Sequence, residues 1–158
     1  GLPRQRVVLV DHGVVKNLVY SLSTAKKMEQ AATGHGLFFE SGEVPMNIVM
    51  SGGKATLEEM IASTERGLLV TRFWYIREVD PTQKILTGMT RDGTFYIHGG
   101  RIQHGVKNLR FNQGLLEMLQ KVERIGRPVR ASGEEHYGCM VMPPMKVSEF
   151  NFTGRTVF

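Results

Sequence analysis

The chain has 158 residues and a net charge of +5, from 20 Lys and Arg against 15 Asp and Glu. That length suits a single domain, residues 1–158, burying roughly two-thirds of its unfolded surface. One cysteine excludes an internal disulfide framework, and no apolar run reaches membrane-spanning length, so a cytoplasmic setting is expected.

Short strands lead. Val7 to Val10 and Val14 to Tyr20 read as a hairpin across Asp11-His12-Gly13, where glycine relieves the strain of a tight turn. A helix is expected over Ser21 to Gln30, with Ser21 or Ser23 available to cap its first amides. Ala31 to Pro45, rich in glycine and without period, reads as a loop, and a loop this long is often functional. Ser51-Gly52-Gly53-Lys54-Ala55-Thr56 resembles a phosphate cradle but lacks the Walker spacing, so it reads as the entry to a helix. That helix runs from Thr56 to Thr64: Thr56 and Glu59 form a capping box, and Leu57, Met60 and Ile61 share a face.

Leu68 to Ile76 is apolar at odd and even positions alike, which predicts a strand covered on both faces, central to its sheet, with Phe73 or Trp74 buried. In Gly88 to Arg110, GMTRDGTFYIHGGRIQHGVKNLR, two turn signals appear: Thr90-Arg91-Asp92-Gly93 and His98-Gly99-Gly100-Arg101. Asn112 is expected to cap an amphipathic helix carrying Leu115, Leu119, Val122 and Ile125 as far as Gly126. After Pro128 the chain returns to strands, and Pro143 and Pro144 force a bend or an edge. Many strands with two or three helices make a β-rich α+β domain.

The residues that could carry chemistry are few. In Thr33-Gly34-His35-Gly36 the glycines allow close backbone approach and the imidazole can pair with a peptide; the same segment also reads as a turn histidine in water. Asn47, at a loop-to-strand junction, can pair with a peptide backbone or simply brace its loop. His136 and Cys139 form an HxxC pair, half of a metal site, whereas Cys139 read alone is an ordinary buried apolar residue. Glu134 and Glu135 beside His136 read as a solvated turn, and nucleophile signatures such as GxSxG are missing. The basic residues are scattered (Arg4, Arg6, Lys26, Lys27, Arg124, Arg127, Arg130), which favours a solvated surface over a nucleic-acid footprint.

Taken in order, TGHG (Thr33 to Gly36), ASTERGLLVTRF (Ala62 to Phe73), Gly88 to Arg110 and GCMVMPPMKV (Gly138 to Val147) resemble the C-terminal domain of the TldD/PmbA family, metallopeptidase-related proteins also called modulators of DNA gyrase. The resemblance implies a strongly curved, barrel-like sheet, a dimer with another family subunit, unfolded peptide as substrate and zinc in the full-length assembly, with no cofactor in these 158 residues. Catalytic members carry an HExxxH helix, and none of the five histidines here precedes a glutamate. The chain is therefore expected to be the C-terminal portion of a longer polypeptide, its N-terminal half lying elsewhere. In catalytic relatives a cysteine near the C-terminus is the third zinc ligand; Cys139 and Tyr137 both remain open for that position. The PPMKV segment and the displaced cysteine favour a PmbA-like partner subunit over the C-terminal half of a TldD-like peptidase, with a basic DNA- or gyrase-associated module a distant third. Residue chemistry and the resemblance together make Gly34, His35, Gly36 and Asn47 the candidates for substrate binding, and Cys139 with His136 the candidates for any metal contact.

Overall fold

The computed structural model describes residues 1–37, 42–133 and 136–155, with the main chain alone for 133, 136 and 137. Two compact units emerge: residues 1–49 with 132–140, and residues 50–131 with 141–158. In chain order the elements are β1 (Val10–Asp11), β2 (Val14–Val15), α1 (Leu22–Lys27), β3 (Ile48–Val49), α2 (Leu57–Ala62), β4 (Arg66–Asp80), β5 (Ile85–His98) and β6 (Arg101–Gly105). β7 (Leu109–Gly114), α3 (Leu115–Gln120), β8 (Val122–Ile125), β9 (Val129–Gly133), β10 (His136–Met142), β11 (Met145–Val147) and β12 (Phe152–Arg155) follow. Among the described residues, many strands and three short helices make this an α+β chain. Among the described residues the strands form open sheets, β1-β2, β3-β10-β9, β11-β8 and β12-β7-β5-β4 with β6 also on β5, and none closes into a barrel.

In the first unit, β1 and β2 pair antiparallel through Val10↔Val15 and Asp11↔Val14. His12 (φ 50°) and Gly13 (φ 78°) supply the two left-handed positions that this two-residue turn demands. Helix α1 is capped by Ser21, whose hydroxyl accepts the Thr24 N–H at 3.2 Å, and it buries Ala25.

In the second unit, α2 has the capping box its sequence announces. Glu59 N–H donates to Thr56 Oγ1 at 3.1 Å while Thr56 N–H donates to Glu59 Oε2 at 2.9 Å. Gly53 lies so close to the chain at Ile125 that a Cβ would stand 2.1 Å from the Ile125 carbonyl oxygen, and its N–H donates to Gly126 O at 2.9 Å. The glycines before α2 thus serve close chain packing at the helix entry.

Strand β5 is the spine of the large sheet. Along one edge it pairs with β4 from Arg66↔His98 to Asp80↔Ile85; along the other it pairs with β7 at Ile85–Met89 and with β6 at Phe95–His98. Phe73 meets Phe111 edge-on at 5.0 Å and stacks on Phe150 at 5.2 Å, while Phe111 and Ile97 are buried. Gly88 leaves room for this cluster, because a Cβ there would lie 2.8 Å from the Phe111 ring.

Four expectations are corrected. Among the described residues strand β4 stands at the edge of its sheet rather than in the centre, Phe73 and Trp74 are half-buried, and Phe73 packs on the Phe111 and Phe150 rings. Thr90-Arg91-Asp92-Gly93 is a bulge within a continuous β5, where Asp92 (φ 59°) and Gly93 (φ 139°) shift the register opposite Thr71. Thr71 Oγ1 donates to the Gly93 carbonyl at 3.0 Å and fastens it. Asn112 does not cap a helix: it lies in β7, its N–H donates to Asn151 O and its carbonyl accepts from Asn151 Nδ2. The expected long helix shortens to α3, because Val122–Ile125 pairs with Met145–Val147 as a strand instead.

Candidate functional site

The loop Thr33-Gly34-His35-Gly36 is held from both sides. Gln5 N–H donates to Thr33 O at 3.0 Å, and Gly34 (φ 76°) abuts Pro3 so closely that a Cβ would fall 2.3 Å from the Pro3 carbonyl oxygen. Thr33 and Tyr20 exchange main-chain and hydroxyl contacts, with Thr33 N–H to Tyr20 O at 3.1 Å and Tyr20 N–H to Thr33 Oγ1 at 2.8 Å. His35 is buried, 7% exposed, with Nδ1 paired to Thr33 Oγ1 at 2.9 Å, so it is no turn histidine in water. Its carbonyl accepts the Val44 N–H at 3.2 Å, and Gly36 bridges Glu43. Gly36 stands against Ser21, where a Cβ would sit 3.2 Å from the serine Cβ. Close packing accounts for both glycines. Phe38, Phe39, Glu40 and Ser41, between these two ends of the loop, lie outside the described residues.

Asn47 leads directly into β3, and its carboxamide Oδ1 accepts the main-chain N–H of Cys139 on β10 at 3.1 Å. Asn47 and Cys139 are therefore neighbours. The Cys139 residue itself is exposed, which corrects its reading as a buried apolar residue. Among the described residues strand β10 lies between β3 and β9, and β3 stands at the edge of the sheet. The side chain of His136 and the residues Glu134 and Glu135 lie outside what is described. Among the described residues no three His, Cys, Asp or Glu side chains gather to hold a metal ion, so those present do not make a zinc site.

An open groove of about 650 Å³ runs beside the loop, its wall including Thr33, which pairs with His35, and Tyr20, which pairs with Thr33, together with Arg6 and Lys16. Thr33 is the residue the sequence reading passed over. A hydroxyl two positions before a histidine was the available signal, since short polar side chains readily pair within their own loop.

Two glycine-rich approaches, a buried imidazole and an edge strand opening on Asn47 follow the order of segments noted in the sequence. Residues 1–154 match the family model described as the PmbA/TldA metallopeptidase C-terminal domain. The chain belongs to the PmbA/TldD family.

Curated relatives of this family include a metalloprotease TldD homolog of Buchnera aphidicola, 28% identical over 130 residues that make up 80% of this chain and 26% of the relative. Another, from Haemophilus influenzae, is 26% identical over 98% of this chain and 34% of its own length. The chain thus spans about a quarter to a third of the relatives it matches. Among solved structures, TldE of Thermococcus kodakarensis superposes with a TM-score of 0.79 at 22% identity, covering 98% of this chain and 35% of that one. A Thermotoga maritima protein described as a modulator of a DNA gyrase gives 0.73 at 20% identity, covering 96% and 34%. At such identity these structures speak for the fold alone. No helix among the described residues is long and apolar enough to cross a membrane.

Proposed function

We propose that the chain is the C-terminal domain of a PmbA-like partner subunit in a TldD/PmbA-type zinc peptidase assembly that acts on unfolded peptides in the cytoplasm. In this reading residues 1–158 work as one domain of a longer polypeptide, pair with a second family subunit, and form part of a strongly curved, barrel-like sheet. The observation that supports it is the edge of β3. Beginning beside Asn47, whose oxygen is tied to β10, that edge offers main-chain groups to an extended peptide, which backbone pairing binds without demanding a sequence. Gly34, His35 and Gly36, joined to the same stretch through Val44, are the residues proposed to flank the peptide, and Cys139 with His136 the positions proposed to face a family metal.

A second reading, the C-terminal half of a catalytic TldD-like zinc peptidase, is favoured by the name of the curated relatives, metalloprotease TldD homolog. The rest of the longer polypeptide separates the two: an HExxxH motif there selects the peptidase, and its absence the partner subunit. Zinc added to the metal-free chain should bind weakly, and an unfolded peptide should stay intact while shifting the amide resonances of Ile48 and Val49. Stoichiometric submicromolar zinc binding with chelator-sensitive cleavage would show that a complete site lies within these 158 residues and overturn both readings, and peptide shifts confined to α3 would reject the placement at β3.

A further inference from the structure

The tip of the β5–β6 hairpin carries two arginines and a histidine in a row that the family reading leaves unused. Across three strands Arg66 pairs with His98 and His98 with Arg101. Directly paired residues share one face of a sheet, and adjacent strands lie about 4.8 Å apart, so His98 stands between Arg66 and Arg101 on that face. All three residues are exposed, and neither Arg66 nor Arg101 has an ion pair among the described residues. In the next row Tyr96 pairs with His104. The Tyr96 ring lies parallel to that of His98, 6.3 Å away at 10°, and 5.6 Å from that of His104.

The row is also rigidly mounted. Gly99 (φ 55°) and Gly100 (φ 73°) make the two-residue turn, their N–H groups donate to Glu65 O and Thr64 O, and Gln103 Nε2 donates to the carbonyls of His98 and Arg101. Three donor side chains on one face of the sheet can converge on an anion. Guanidinium forks match the oxygens of a phosphate, and like charges held together without an acid are relieved by one.

We propose that this row binds a compact oxyanion, a phosphate or phosphomonoester group, which Arg66 and Arg101 clasp beside His98, while Tyr96 and His104 offer a platform to a flat ring on the ligand. The inference stands independently of the partner-subunit reading. Its test is a titration of the chain with inorganic phosphate and with phenyl phosphate, at constant ionic strength in chloride, followed by calorimetry and by the ring resonances of Tyr96, His98 and His104. Saturable binding should appear. Arg66→Gln and Arg101→Gln should each weaken it about tenfold, the loss of one charge-assisted contact, and Arg124→Gln, a charge-matched control elsewhere, should not. Tighter phenyl phosphate binding with added shifts at Tyr96 and His104 assigns the site to a ring-bearing phosphomonoester; equal affinities assign it to free phosphate and remove the platform. No saturation, or equal weakening by the Arg124 control, overturns the proposal, provided the variants keep the parent's dispersed spectrum.

Discussion

The carboxamide oxygen of Asn47 accepts the main-chain N–H of Cys139 at 3.1 Å, joining residues 92 positions apart in the sequence. Because this contact is exposed to water, Asn47→Ala should cost only about 0.5–1 kcal/mol. Hydrogen exchange at the Cys139 amide should quicken far more than at amides elsewhere in the chain; unchanged protection would show that another acceptor takes over.

Gly34 sits at φ 76° against the Pro3 carbonyl, and Gly34→Ala brings a methyl within 2.3 Å of that oxygen. The segment around Pro3 must move, and the cost should be about 1–3 kcal/mol from left-handed strain and displacement together. Loss of the Gln5 N–H bond to Thr33 O, read as faster exchange at Gln5, is the local signature to look for.

Phe73→Ala removes a ring that touches both Phe111 and Phe150. Half-burial lowers the expected loss to about 2–3 kcal/mol, below that of a fully enclosed phenylalanine. Chemical denaturation of Phe73→Ala, Phe150→Ala and the double variant should reveal coupling between the two rings; strictly additive losses would deny the stack.

Lys121 Nζ donates to Glu149 Oε2 at 2.6 Å and to Glu117 Oε1 at 2.8 Å. Hydrogen bonding to Glu117 first and Glu149 second raises the Lys121 pKa, and hydrogen bonding to Lys121 lowers that of Glu149. The lowered carboxyl contributes stability above its unfolded pKa and loses it as the pH falls through its folded value. The raised ammonium contributes below its unfolded pKa and loses it as the pH rises through its folded value. The pair should therefore support the fold across neutral pH and at neither extreme, and salt should weaken it. In Lys121→Met the Glu149 carboxyl titration should return upward to the ordinary glutamate range; an unmoved curve would dissociate the two groups.

Local chemistry was legible in the order of residues. Ser21 and Thr56 cap helices, His12-Gly13 and Gly99-Gly100 turn hairpins, and the ordered segments from TGHG to PPMKV mark the family, because each depends on residues a few positions apart or on wording that needs no folding to read. Long-range pairing overruled the rest. Asn112 has the chemistry of a helix cap, yet pairing with Asn151 takes its main chain into β7, and Val122–Ile125 has a helical period but pairs with β11 as a strand. Asp92-Gly93 carries the residues of a turn, and only a partner strand with Thr71 opposite makes it a bulge instead. The contact of Asn47 with Cys139 and the placement of Arg66 beside His98 bring together residues far apart in the chain. Hydrogen-bond register across strands sets such neighbours, and it is fixed only when the strands meet.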